Sequence, residues 1–157
     1  MAQRKKILLS ACLAGINCVY DGTNKLKPRL AGLYKKGGAV LFCPETSGGL
    51  KIPHPPSEIR SGDGEDVLAG RARIVSKEGD DVTAYFLKGA ANTLELAKKN
   101  GIKKAIMKSR SPSCGCGFIY DGSFGSKLKA GFGVTAALLK KNGIDVVSDE
   151  EFLKGRK

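Results

Sequence analysis

The pentapeptide Lys-Lys-Asn-Gly-Ile occurs twice, at 98–102 and at 140–144, each time at the end of an apolar pattern with helical spacing. Asparagine followed by glycine supplies the left-handed stop of a helix, and isoleucine opens the apolar run that follows. Both copies therefore read as helix-to-strand turns of one geometry, the kind that joins βαβ units. Before the first copy, Val82, Phe86, Ala90, Leu94 and Ala97 recur at helical intervals from Asp81 onward. Before the second, a helix is expected over 134–142. Apolar runs at 6–10, 39–42, 103–108 and 144–147 read as short buried strands. The stretch 53–79 is rich in proline, glycine and charge; apart from a small strand at 72–76 it is expected to be a covering loop. With 157 residues and 41% hydrophobic composition, the chain can bury one core but is short for two. The expected architecture is α/β: a single Rossmann-like domain over 1–157, with a small mostly parallel sheet flanked by helices and a loose tail at 153–157.

Three of the expected strands are followed by a cysteine in a context that lets backbone approach closely. Cys12 precedes Leu13, Ala14 and Gly15; Cys43 precedes Pro44; Cys114 precedes Gly115. Ligands of open α/β sheets collect at the carboxyl ends of the strands, so the three thiols are expected to meet there. Three thiolates suit zinc or an iron-sulfur cluster. A structural zinc site draws ligands in close pairs and closes with a fourth, often histidine, but the single histidine, His54, lies between two prolines. A cluster held by three cysteines leaves one iron free as a Lewis acid, provided Cys18 and Cys116 stay out. Those two are read as small buried or spare thiols. A fainter echo joins two of the cysteine segments, since Tyr20, Asp21 and Gly22 follow Cys12 much as Tyr120, Asp121 and Gly122 follow Cys114. The two aspartates, each before a glycine, are read as turn residues.

Ser10-Ala11-Cys12-Leu13-Ala14-Gly15 with Tyr20-Asp21-Gly22, Cys43-Pro44-Glu45 with Gly48-Gly49-Leu50, and Ser111-Pro112-Ser113-Cys114-Gly115 with Tyr120-Asp121-Gly122-Ser123-Phe124 together resemble the thiouracil desulfurase family. The resemblance extends to Asp81-Val82-Thr83 and to 131–136, so it covers nearly the whole chain. It implies a four-iron, four-sulfur cluster on Cys12, Cys43 and Cys114, and removal of sulfur from a thiolated pyrimidine without net redox change. It also supports Glu45, two residues beyond Cys43, as general base or proton shuttle, with Ser111 to orient water or substrate. Ser113, Gly48, Gly49 and Lys108 are the expected substrate contacts. His54, read as packing in its proline loop, stands where the family pattern leads one to expect arginine.

Competing readings are weaker. Gly131-Phe132-Gly133-Val134-Thr135-Ala136 fits a dinucleotide fingerprint, with Asp149 at a suitable distance, but the polar stretch 123–129 is not the buried strand such a site needs. A thiol redox enzyme would want Cys-x-x-Cys, which the chain lacks. The formal net charge of +12 favours polyanions. A basic RNA-binding or structural metal module without catalysis is therefore the alternative, although few aromatics are present to stack bases. A small thiolated base is the expected partner, a tRNA position a possible one, and the chain a monomer or homodimer. Arg4, Lys5 and Lys6 before the apolar run 7–11 and Cys12 imitate a lipoprotein signal, but that run falls short of the roughly 7–15 apolar residues an export signal needs. No stretch is long enough to span a membrane. The odd number of cysteines fits reduced thiols and a cytoplasmic location.

Overall fold

The computed structural model describes residues 5–155. Four strands form one parallel sheet in the order β2-β1-β5-β8: β1 is Ile7–Ser10, β2 Ala39–Phe42, β5 Lys104–Met107 and β8 Asp145–Ser148. The pleat divides their side chains between two cores. Leu8, Ala105, Met107 and Val146 point to one face, where they meet Ala97, Ala136 and Leu139 from α4 (Thr83–Lys99) and α5 (Val134–Lys141). Leu9, Ile106 and Val147 point to the other, against Leu30 of α1 (Pro28–Lys35) and Phe152 of α6 (Asp149–Leu153). Because both faces are covered, the strands read as continuous apolar runs. This is the mostly parallel, helix-flanked α/β architecture expected.

The repeated pentapeptide behaves as one turn in both places. Gly101 and Gly143 take positive φ (63° and 82°), and the isoleucine after each donates its N–H back into the preceding helix, to the Ala97 and Leu139 carbonyls. The expected strands and the two long helices all appear within a residue or two of their expected limits.

The stretch 53–79 is not the covering loop expected. It forms β3 (Ser57–Arg60), α3 (Gly64–Leu68) and β4 (Arg73–Ser76), with β3 and β4 antiparallel. Ile59, Val67 and Ile74 seat this unit on Phe86 and Ala90 of α4 in a third apolar cluster. Too few apolar residues fall in each short element for a period to show. One signal was present: Asp63 and Asp66 form a reciprocal capping box at the start of α3. A second ribbon, β6 (Cys116–Tyr120) with β7 (Leu128–Phe132), was likewise not foreseen in its polar sequence. Of the expected tail, Leu153 closes α6 and packs on the second core, Lys154 and Gly155 turn outward, and 156–157 lie outside the described residues. None of the described helices is long and apolar enough to cross a membrane.

The short helix α2 (Pro44–Ser47) is pressed onto α4 at two glycines. A Cβ on Gly89 would run into the backbone of Pro44, and one on Gly48 into the backbone of Tyr85. At Gly32 in α1, by contrast, a Cβ meets nothing within 4 Å. Gly89→Ala is expected to destabilise by about 1–3 kcal/mol, even though alanine favours a helix by about 1 kcal/mol. Gly32→Ala should stabilise by roughly 0.5–1 kcal/mol. Urea unfolding of both variants beside the parent chain decides the matter, and a Gly89→Ala midpoint at or above the parent's would refute the close-approach argument.

Candidate active site

Parallel pairing places the exits of β1, β2 and β5 side by side. Ser10 is level with Phe42, and Leu9 with Ile106. Past Ser10 the chain winds into a 3-10 turn, Ala11–Ala14, closed by Gly15 in the left-handed region, and Cys12 sits in that turn. Past Phe42, Cys43 leads directly into α2. Past Met107 the chain runs through a tight loop to Cys114. The Ser10 hydroxyl oxygen accepts the Lys108 N–H at 3.0 Å, which ties two of these exits together.

The Cys114 loop is held mostly through backbone. Val134 at the start of α5 donates its N–H to the Pro112 carbonyl (2.8 Å), and Thr135 and Ala136 donate theirs to the Ser113 carbonyl (2.9 and 3.1 Å). The free amides of a helix start thus satisfy loop carbonyls rather than a ligand. Ser111 Oγ accepts the Cys114 N–H at 2.7 Å, and buried Asp149 accepts the Ser109 N–H at 2.9 Å. The dinucleotide reading therefore has no structural support. Asp149 is engaged with this loop; of the fingerprint glycines, Gly131 lies on an antiparallel ribbon against Asp63, and Gly133, just before α5, packs against the Ser113 backbone.

Cys12, Cys43 and Cys114 all line one cavity of about 350 Å³, together with Glu45, Lys108 and Ser111. The two Tyr-Asp-Gly segments flank it as matching turns. Asp21 accepts from the Thr23 N–H and hydroxyl, and Asp121 from the same groups of Ser123; these bonds, the hydroxyl's above all, hold both carboxyls below the usual range. Both aspartates are turn residues, as expected. Glu58, buried on β3, reaches across to accept the N–H groups of Gly122 (2.9 Å) and Phe124 (3.1 Å), pinning the second turn over the cavity.

The thiols are crowded. Cys18 is buried as expected, yet it is not apart from the others: it lines the same cavity, with its thiol against those of Cys12 and Cys43. Contact with Cys12, with burial adding to it, pushes the Cys18 thiol up to about 12. Contact with Cys18 and then burial push Cys43 further up, and burial pushes Cys114 to about 12 against the hydroxyls of Ser10 and Ser113. Cys116 is different. Its Sγ lies 3.5 Å from the Val146 carbonyl oxygen, and the residue is not among those lining the cavity.

Other expected site residues fall into two groups. Glu45, Ser111 and Lys108 line the cavity. Ser113 is fully buried; its hydroxyl lies 3.3 Å from that of Ser111 and 3.5 Å from Glu45 Oε2, so it touches the carboxylate rather than open space. Gly48 and Gly49 lie against Tyr85 of α4 and are not cavity residues, for the packing reason given above. Sequence reasoning missed His54, whose Nε2 stands 3.3 Å from Glu45 Oε1. It also missed Glu58. No local spacing joins these residues to the cysteines, and only the folding of the 53–60 segment over α2 brings them in.

A parallel α/β sheet that gathers thiols and a carboxylate at its carboxyl ends is a scaffold suited to a thiolate-bound metal centre beside a proton-transfer group. The model of the 2-thiouracil desulfurase family matches residues 7–151, and the chain belongs to that family. A relative in Bacillus subtilis (strain 168), the uncharacterized protein YbbK, is 48% identical over 145 residues, covering 92% of this chain and 96% of its own. Among solved structures, the [4Fe-4S]-dependent thiouracil desulfidase TudS superposes with a TM-score of 0.85 at 42% identity, covering 96% of this chain and 95% of that one.

The Glu58 link yields a direct test. Glu58→Ala leaves two loop amides without their acceptor and is expected to cost about 1–3 kcal/mol. Amide hydrogen exchange at Gly122 and Phe124 should quicken more than at Ile106 in the sheet; equal protection in variant and parent would refute the pin.

Proposed function

We propose that this chain removes sulfur from a thiolated pyrimidine such as 2-thiouracil, giving the oxo base and hydrogen sulfide, with a four-iron, four-sulfur cluster on Cys12, Cys43 and Cys114. The observation that carries this reading is the meeting of three thiols from three strand ends with Glu45 in one cavity. Membership in the 2-thiouracil desulfurase family and likeness to a [4Fe-4S]-dependent thiouracil desulfidase support it.

The donor set fits the cofactor. Thiolates are the soft ligands that iron-sulfur clusters take. No three His, Cys, Asp or Glu side chains among the described residues gather as ligands of a single ion. Such a cluster would be held by Cys12, Cys43 and Cys114, whose residues line one cavity. When bound through three cysteines, such a cluster supplies an iron without a protein ligand, a Lewis acid for soft sulfur.

The remaining chemistry falls to this chain's own side chains. The overall exchange, thiocarbonyl plus water giving carbonyl plus hydrogen sulfide, moves protons but no net electrons. Glu45 takes the proton of the attacking water and returns it to the departing sulfur or the ring nitrogen. Its Oε2 faces Ser113, which faces Ser111 on the cavity wall, so the hydroxyls continue a hydrogen-bonded line from the base toward substrate. Ser111 orients water or base, and Lys108, half-buried at the exit of β5, offers a cation to the oxygen or ring anion that develops.

Anaerobic purification with iron and sulfide analysis should find four of each per chain, and the loaded protein should convert 2-thiouracil to uracil with release of sulfide. Glu45→Gln is expected to keep the iron and lose about 10²–10⁴-fold in kcat. A loaded protein that leaves 2-thiouracil unchanged would refute the activity, and loss of iron in Glu45→Gln would make Glu45 structural instead.

A further inference from the structure

His54 has a side chain only 9% exposed and is fixed at three points. Its backbone N–H donates to the Tyr20 carbonyl at 2.8 Å, its Nδ1 lies 2.9 Å from the Pro55 carbonyl oxygen, and its Nε2 lies 3.3 Å from Glu45 Oε1. The carbonyl can only accept, and so can an ionised carboxylate. Both ring nitrogens therefore need a proton to meet both partners, which is the imidazolium form. The Nε2 contact is off the line of a hydrogen bond, so an ion pair describes it better.

Glu45 is thereby gripped at both oxygens. Oε1 faces the imidazole, and Oε2 faces Ser113 at 3.5 Å. Neither contact comes from the helix that carries Glu45. His54 reaches it from the Pro53–Pro56 segment and Ser113 from the loop beyond β5.

We propose that His54 is the positioning residue of Glu45: as an imidazolium braced by the Pro55 carbonyl, it holds the carboxylate in the one orientation that turns Oε2 toward Ser113 and the cavity. This rests on the reading of Glu45 as the base. The ionisable groups that face His54 are Glu45 on α2, the Cys43 thiol just before it, and Tyr20, whose ring centroid is 6.4 Å away. Contact with Glu45 raises His54 above the ordinary histidine range and outweighs the burial that lowers it. The ion pair is consequently present below that raised midpoint and is lost as pH rises through it, when an unprotonated nitrogen would face a carboxylate.

His54 is the only histidine of the chain, so imidazole NMR of the anaerobically purified, iron-loaded protein follows one titrating ring. In the parent its midpoint should lie above that of a free histidine, and Glu45→Gln should bring it down; an unchanged midpoint in that variant overturns the pairing. For turnover, His54→Gln should keep its iron and lower kcat about 10- to 100-fold with KM changed far less. The parent's kcat should decline on the alkaline side at the NMR midpoint. His54→Arg, a cation at every working pH, should recover most of kcat and lack that decline. A His54→Gln variant with the parent's kcat and pH profile overturns the positioning role. Should Glu45→Gln keep full turnover, the base reading itself fails; should it lose turnover while His54→Gln does not, only the inference fails.

Discussion

Parallel pairing of β1 with β2 on one side and β5 on the other is the constraint on which the site depends. Parallel strands end at one edge, so any residues placed just beyond them are brought together whatever their separation in sequence. Cys12, Cys43 and Cys114 use that property. The pairing in turn requires both faces of the sheet to be covered, which α4 and α5 do on one side and α1 and α6 on the other. Burial of the strands and convergence of the thiols are thus one fact at two levels. The Ser10 hydroxyl, accepting from Lys108, adds a polar lock at the edge where the apolar core stops.

Beyond the strand ends, precision comes from close backbone approach. Gly48 and Gly89 let α2 settle on α4, which sets where Cys43 and Glu45 stand. Gly133 lies so near Ser113 that a side chain would strike its backbone, and this nearness lets α5 amides reach the Pro112 and Ser113 carbonyls. Helix amides that elsewhere bind anions here fix the loop carrying Cys114. The resulting frame is rigid because neither partner in these contacts is a rotatable side chain.

Elements with many buried residues could be read from the sequence, and those with few could not. The 98–102 and 140–144 turns were legible because asparagine-glycine chemistry is local and occurred twice. Strands β1, β2, β5 and β8 were legible because burial on both faces makes their central residues apolar. The β3-α3-β4 unit contributes mainly Ile59, Val67 and Ile74 to its core, too few to stand out among its charges and glycines. In the site, the cysteines announced themselves by type and by position after strands. The grip of His54 on Glu45 did not, since it depends on how a proline-rich segment folds over a four-residue helix. Cys18 was set aside on sequence grounds, yet the return of the chain after the 3-10 turn, where Lys25 and Lys27 donate to the Cys12 and Leu13 carbonyls, folds it back among the other thiols.

That crowding has an energetic consequence for the proposed centre. Thiols buried beside one another resist ionisation, because each thiolate would face low polarity and a neighbour of the same sign. In the protein alone, Cys18, Cys43 and Cys114 are all displaced toward the protonated form. A cationic iron core reverses the sign of that neighbourhood and makes thiolate the favoured form at the ligands it touches. The protein therefore does not present a ready-made anionic nest. It presents a wall of thiols, with Cys18, Cys43 and Cys114 held toward the protonated form, and ionisation of the ligands would be coupled to binding. Glu45 stands beside that wall, held by His54 and Ser113 from two other segments, so its orientation is set by the folded frame and not by whichever thiols are ionised.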